Sequence, residues 1–170
     1  MRRLLSKPVT WVTLGVVVAG LVVGLALFEP WRAFTSSRLD EPVPVAATST
    51  SAVAPPEPVV LAEGAFVSQE HETSGTARVL RLPDGARVLR VEGFSTSDGP
   101  DVHIWLSDAS AGGDWGKYDD GRHIPLGEIK ATDGNHNYVI PADADLTGLR
   151  SAVIWCDRFN VAFGSAALTL

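Results

Sequence analysis

The chain has 170 residues, 45% of them hydrophobic and 20% charged, which suits one folded domain with appended segments. The formal net charge is −6 but is unevenly spread. Three of the fourteen basic residues precede Glu29, which leaves 11 basic against 20 acidic residues from there onward, a net of −9. That balance excludes nucleic acid and anionic lipid as partners of the folded part, because both need a basic surface.

The first predicted element is a transmembrane helix over residues 8–28, a run of 21 residues without a charge. As a helix it would be about 32 Å long, enough for a hydrocarbon core of about 30 Å. The alternative is a cleaved signal peptide, but this run is longer than a signal core and ends in a poor cleavage site. Arg2, Arg3 and Lys7 predict a signal-anchor whose residues 1–7 are cytoplasmic, with the C-terminal domain outside the cell membrane. The lipid bilayer is therefore the first expected partner.

Residues 29–58 are predicted to form a stalk. From Thr35 to Pro58 the sequence is rich in Pro, Ser, Thr, Ala and Val and has no aromatic residue. Such a segment cannot bury a core, so we expect it to be extended and to hold the next domain tens of ångströms from the membrane. The alternative, a linker under little constraint, gives the same placement.

Residues 59–170 are predicted to fold as an all-β domain, an antiparallel, barrel-like β-sandwich. Short apolar or alternating runs are separated by turn residues, and outside residues 8–28 no window of helical length has a 3.6-residue period. Pro83-Asp84-Gly85 indicates a hairpin turn, and 109–121 a long loop. The predicted strands are 65–69, 76–82, 86–92, 101–107, 124–130, 135–140, 151–156, 160–163 and 166–170.

The only cysteine, Cys156, ends the apolar run 151–156, and a single cysteine excludes an intrachain disulfide. By alternation Ile154 and Cys156 share one face of the strand, and Val153 and Trp155 share the other, without indicating which face is inside. Free cysteines are commonly small buried hydrophobes. Outside the cytoplasm an unpaired thiol is open to oxidation, so Cys156 should be either buried or used.

The four histidines show no known metal-binding spacing, and no metal site is predicted. His103, His71 and Trp105 are the candidates for holding a cofactor beside Cys156; the alternative roles are surface or capping histidines and a packing tryptophan. Copper would need two histidines with the cysteine, and haem an axial histidine or cysteine, so the cofactor stays unassigned. The stretch 97–101 lacks the EF-hand spacing and is predicted to be a turn.

A set of short blocks occurs in order between Glu63 and Leu170: HETSG at 71–75, Phe94, GPDVHIWLS at 99–107, LGEIK at 126–130, GNHNYVIP at 134–141, VIWCDRF at 153–159, and FG at 163–164 with Ala166. In these blocks the chain resembles the DM-thirteen domain, a module often found beside DOMON domains and named for electron transfer. The resemblance implies an all-β extracytoplasmic domain. It also implies that the family's hallmark cysteine is Cys156, a redox centre alone or through a bound cofactor.

The expected function is a membrane-anchored redox or electron-transfer module centred on Cys156, with His103 and Trp105 as neighbours. Its expected partner is a redox protein or a cell-envelope component. The alternative is a non-catalytic cell-surface module that binds a ligand or protein and in which the cysteine is structural. A redox role predicts an accessible or ligated thiol; a binding role predicts a buried thiol and an exposed aromatic or polar patch. Hydrolase chemistry has no support, because neither a G-x-S-x-G motif nor paired carboxylates stand out.

Overall fold

The computed structural model describes residues 8–44 and 57–170, and within them one helix, one 3₁₀ helix and nine strands. The elements in chain order are α1 (Pro8–Phe28), the 3₁₀ helix (Pro30–Phe34), β1 (Arg38–Asp40), β2 (Val59–Ser68), β3 (Ser74–Arg81), β4 (Arg87–Ser95), β5 (Val102–Ser107), β6 (His123–Glu128), β7 (Asp133–Ile140), β8 (Ser151–Cys156) and β9 (Val161–Ala167). The predicted all-β class is confirmed.

The nine strands form one strongly curled sheet in the order β1-β7-β4-β3-β2-β9-β8-β5-β6. All neighbours are antiparallel except β1 and β7. Strand β2 belongs to both halves: its residues 59–65 pair with β3, and 66–68 pair with β9. A strand that changes partners in this way forms a corner, and the two halves of the sheet fold over a shared interior.

The core fills the space between the two halves of the sheet. It draws buried side chains from every strand between β2 and β9 except the edge strand β6, which contributes the partly buried Ile124 and Leu126. A second, smaller cluster lies on the outer face of the β8–β9 half. It consists of Trp105, Tyr118, Val153, Trp155 and Ala162. Strand β8 is therefore buried on both faces, which accounts for its uninterrupted apolar sequence.

The predicted loop over residues 109–121 covers this outer cluster. Tyr118 is fully buried, and its hydroxyl donates to Ser165 Oγ at 2.9 Å and lies 3.1 Å from Gln69 Oε1. The backbone N–H of Ala162 donates to the carbonyl of Trp115 at 2.9 Å. These contacts attach the loop to β2 and β9, so a segment without regular structure becomes a second layer over the sheet.

Each predicted strand overlaps an observed one, but β1 was not predicted, β2 begins at Val59 and not at residue 65, and residues 160–163 and 166–170 were expected to be separate strands. They form one strand, β9, which runs through Gly164. A Cβ at Gly164 would lie 2.5 Å from Cβ of Thr73. This glycine therefore allows the close approach of a neighbouring segment and does not mark a break between strands.

The segment predicted to be a stalk lies partly against the domain. Strand β1, within residues 29–58, pairs in parallel with β7, and the Thr132 hydroxyl donates to the carbonyl of Ser37 at 2.9 Å. The expected reach of tens of ångströms does not hold for residues 30–42, because the open edge of β7 supplies hydrogen-bonding partners for their backbone. The remaining predicted stalk residues 45–56 lie outside the described residues.

Arg90 fixes this segment from within the sheet. Its side chain is only 6% exposed and pairs with Glu92 at 2.7 Å. It donates to the backbone carbonyls of Glu41 and Pro42 at 3.2 and 3.1 Å and to Asn137 Oδ1 at 2.8 Å. A buried guanidinium needs several acceptors, so the docked segment helps to satisfy a charge in the sheet.

Helix α1 has the bounds predicted for the transmembrane helix, and none of its described residues is buried against the protein. It is long and apolar enough to cross a membrane. Its end contacts the β domain: Arg158 Nη1 donates to the carbonyl of Leu27 at 2.6 Å, and Phe159 stacks on Phe28 with ring centroids 6.2 Å apart. The β8–β9 turn is therefore in direct contact with the end of the helix.

Tyr138 makes the stability of the fold fall at alkaline pH. Its ring lies in the core, and burial raises the pKa of Tyr138 to about 12 from an ordinary 10.0. Its contribution to the free energy of unfolding is complete below pH 10 and is lost as the pH rises through 12. The total loss is about 3 kcal/mol for two pKa units. Urea unfolding at pH 9, 10 and 11 should show this fall in wild type and a shallower one in Tyr138→Phe. Equal slopes for the two proteins would contradict it.

Candidate functional site around Cys156

Cys156 occupies the last position of β8, and its side chain points into the core. It is fully buried and belongs to the interior cluster with Ile154 and Val102, its register partner on β5. Trp155 and Val153 lie on the outer face. The alternation read from the sequence is therefore correct, and the structure adds that the face bearing the cysteine is the inner one.

The surroundings of the sulfur have two opposing effects on the pKa of Cys156. Burial is the largest effect and raises the pKa, because the thiolate loses its hydration, and the negative charge of the Asp101 carboxylate raises it further. Backbone hydrogen bonds from Phe159, Arg158 and Asp101 oppose it by favouring the anion. The thiol is consequently protonated and shielded at rest, while donors that could stabilise a thiolate are already in place.

An exposed turn follows the cysteine directly. Residues 157–160 connect β8 to β9 and are all exposed, and Asn160 has a left-handed backbone conformation with φ 56°. Two of the three backbone groups that lower the pKa of the thiol belong to this turn. Movement of the turn would therefore change the surroundings of the thiol.

His103 lies on the opposite face of the sheet from Cys156. It is the register partner of Trp155, and its side chain is 21% exposed. Its Nε2 is 2.9 Å from Asp101 Oδ1 and 3.4 Å from Asp157 Oδ2. The thickness of the sheet therefore separates His103 from the thiol. The groups nearest its imidazole are carboxylates.

Trp105 continues the row on this outer face. It stacks on His123 with ring centroids 4.1 Å apart and on Trp155 at 4.9 Å. Trp155 in turn meets Tyr118 edge to face at 6.4 Å. Trp105 packs the outer cluster, and it faces away from the sulfur.

His71 packs on the core-facing ring of Phe163, with centroids 4.0 Å apart. It lines an apolar cavity of about 330 Å³ where helix α1 meets the domain, together with Phe28, Phe159 and Pro100. The structure therefore places His71 and His103 in different surroundings, and does not bring them together beside Cys156.

Copper and haem do not fit the residues around the sulfur as they stand. A copper site of the electron-transfer type needs two imidazoles directed at the thiolate, but His103 is on the other face of the sheet. Haem bound through the sulfur needs open space next to it, and Cys156 is completely enclosed by the core. Any redox chemistry at Cys156 would therefore use the sulfur atom directly, without copper or haem bound to it.

Sequence reasoning missed the carboxylates around His103. Asp101 precedes it by two residues and so projects from the same side of β5, and Glu128 faces it across the β5–β6 pair. The i, i+2 spacing was readable in the sequence. The position of Glu128 was not, because it depends on which strands pair and in what register.

The fold and site together define an all-β module with a single shielded thiol, preceded by an apolar helix. The family model described as Electron transfer DM13 matches residues 65–168. This match spans more than half of the chain and includes Cys156, and the chain belongs to this family. No curated protein and no solved structure matches the chain.

Proposed function

We propose that this protein is a membrane-anchored redox module whose working group is the thiol of Cys156, acting outside the cytoplasm. Membership of an electron-transfer family is the observation that carries this proposal. It is supported by the position of the only cysteine beneath one exposed turn, with three backbone donors around the sulfur.

The simplest chemistry available to such a thiol is exchange with a disulfide of a partner protein in the cell envelope. When the turn over residues 157–160 opens, the thiol can lose its proton to solvent, and the thiolate attacks one sulfur of the partner. A new S–S bond forms, the old one breaks, and the second sulfur of the partner leaves as a thiolate. Of the three backbone groups that lower the pKa of the thiol, only Asp101 lies outside this turn, so it is the donor that can stay beside the attacking anion once the turn has opened.

The proposed orientation places residues 1–7 in the cytoplasm and the β domain outside the cell membrane. Arg2, Arg3 and Lys7 precede helix α1, and positive residues favour the cytoplasmic side. The net negative charge beyond Glu29 is compatible with an envelope protein partner and unfavourable for nucleic acid. The bilayer anchors the module through α1.

A second candidate function is a non-catalytic binding module in which Cys156 only fills space. The complete burial of the thiol and its raised pKa favour this alternative. Half-exposed aromatic side chains at Trp115 and Phe159 would then be available for contacts with a partner. The two functions differ in how the thiol becomes accessible.

Thiol labelling of the full chain in lipid nanodiscs, followed across low urea concentrations, separates the two functions. If the turn opens locally, labelling of Cys156 should be independent of urea at low concentration, because little surface is exposed. A core thiol placed in the same strand, Ala152→Cys in a Cys156→Ala background, should label only through global unfolding, and about tenfold or more slowly. Cys156→Ala alone controls for background labelling.

The redox proposal further expects wild type to form a mixed disulfide with oxidised glutathione, at a rate set by local opening of the turn and therefore independent of urea at low concentration. If Cys156 instead labels with the same urea dependence as the Ala152→Cys thiol, the cysteine is structural and the binding module is the better description. Replacement by serine would then cost only stability, on the order of 1–3 kcal/mol for a buried hydroxyl without a partner.

A further inference from the structure

We propose that the outer face of the sheet next to the β8–β9 turn carries a binding site for one divalent first-row transition-metal ion. Its ligands are His103 Nε2 and carboxylate oxygens of Asp101 and Glu128, and Asp157 Oδ2 lies 3.4 Å from Nε2. The site does not use the sulfur of Cys156, and its three ligands lie outside the turn over residues 157–160.

The geometry places the donor atoms around one point. One donor atom each from Asp101, His103 and Glu128 lies within 4.8 Å of the other two. In a tetrahedral zinc site with bonds of about 2.0–2.2 Å, ligand atoms are roughly 3.4 Å apart. The Nε2 atom of His103 is 2.9 Å from Asp101 Oδ1 and 3.4 Å from Asp157 Oδ2, and the side chain of Glu128 is exposed, so it can rotate toward them.

The backbone holds these ligands on rigid elements. Asp101 immediately precedes β5 and His103 lies in it, two residues apart on one face, and Glu128 is the register partner of His103 on β6. Asp157 is fixed next to them because its backbone N–H donates to the carbonyl of Asp101 at 2.9 Å. The ligands therefore come from β5, the residue that precedes it and the neighbouring strand β6, with Asp157 in the turn after β8, which limits the cost of bringing them together.

The charge at this place is not balanced by the protein. In the described ranges 8–44 and 57–170, the carboxylates of Asp101, Glu128 and Asp157 form no ion pair with lysine or arginine. A protonated imidazole offsets one of the three negative charges. A divalent ion bound to the neutral imidazole would offset two and would replace the proton between Nε2 and Asp101.

Space for the ion and its water ligands lies beside the cluster. A cavity of about 120 Å³ is lined by Asp101 and Glu128, and also by Asp98 and Arg32. Arg32 pairs with Glu29 at 2.6 Å and with Asp98 at 3.5 Å. Asp101 and Glu128 are therefore the lining carboxylates that this arginine does not pair with.

The ligand set indicates the class of ion. Calcium and magnesium prefer oxygen ligands alone, whereas an imidazole nitrogen beside carboxylates suits zinc, iron or manganese. With these three protein ligands, one position of a tetrahedral ion remains for water. We therefore use Zn²⁺ as the probe and Ca²⁺ and Mg²⁺ as competitors.

The test is Zn²⁺ binding by the tag-free full chain in lipid nanodiscs, by competition with a fluorescent chelator. Wild type should bind one Zn²⁺ per chain, without competition from millimolar Ca²⁺ or Mg²⁺. His103→Gln, Asp101→Asn and Glu128→Gln should each weaken binding by about 10- to 100-fold or more. His123→Gln, on the same face but outside the cluster, and the exposed Glu72→Gln are the matched controls and should bind as wild type does.

Cys156→Ser separates this site from the thiol. It should bind Zn²⁺ normally, and loss of binding in this variant would place the ion on the sulfur and overturn the proposal. No binding by wild type, or binding unchanged in His103→Gln, would mean that the cluster is an imidazole–carboxylate ion pair only. Thermal unfolding of each variant without metal shows whether it is folded, and a folded His103→Gln with wild-type affinity is decisive against the site.

Discussion

Replacing Trp155 by alanine is expected to destabilise the domain by about 3–5 kcal/mol, the range for deleting a large aromatic side chain from a packed interior. Among the residues that the structure describes, Trp155 is the largest side chain that is fully buried. Its ring stacks on Trp105 at 4.9 Å and meets Tyr118 at 6.4 Å. Both partners would face a cavity after the substitution, because the backbone of β8 is held between β5 and β9.

Urea unfolding of the wild type and of Trp155→Ala in the same membrane mimic measures this effect, and Trp115→Ala is the matched control. The Trp115 side chain is 49% exposed, so its loss should cost about 1 kcal/mol or less. The thermal midpoint of Trp155→Ala should fall by roughly 10–20 °C. A cost equal to that of Trp115→Ala would mean that the loop does not form a packed layer over β8.

The same residue shows how far the sequence alone could be read. The run 151–156 predicted a buried strand correctly, because apolar and β-branched residues without alternation are typical of strands covered on both sides. The layer that covers its outer face is a loop rich in Gly and Asp. Only the buried Tyr118 within that loop signals packing, and a single tyrosine has no periodicity from which to predict it.

Pairing between distant segments could not be predicted from local signals. Strand β1 lies in a segment whose composition indicates an extended linker, and it pairs with residues about a hundred positions later. What holds it are hydrogen bonds to Thr132 and to the buried Arg90. Neither residue stands out in the sequence, because an arginine or threonine that holds a docked segment cannot be told from one on an ordinary exposed strand.

The candidate site was predictable only where it depends on local sequence and not on strand pairing. The position of Cys156 at a strand end and the face it shares with Ile154 follow from alternation. Its shielding by the turn over residues 157–160 depends on backbone groups, which every sequence has. The carboxylates around His103 come from a strand end, a neighbouring strand and that same turn, so only the strand pairing identifies them as one group.

Replacing Gly64 by alanine is expected to destabilise the fold by about 3 kcal/mol, the upper end of the usual cost of overpacking. Gly64 lies in β2 just before the strand changes from pairing with β3 to pairing with β9. A Cβ there would overlap the backbone carbonyl oxygen of Ala167 in β9. A backbone atom cannot rotate away as a side chain can, so β2 and β9 would have to separate at the corner that joins the two halves of the sheet.

Gly116→Ala is the matched control for this substitution. Its Cβ would have no neighbour closer than 3.7 Å, and neither glycine has a positive φ, so the two variants differ in the clash and share the entropic effect of adding a methyl group. Urea unfolding should show Gly116→Ala near wild type and Gly64→Ala with a lower midpoint. Since β9 is the hydrogen-bonded neighbour of β8, Gly64→Ala should also speed labelling of Cys156. Equal stability of the two variants would mean that β2 and β9 are farther apart at this corner than the structure has them.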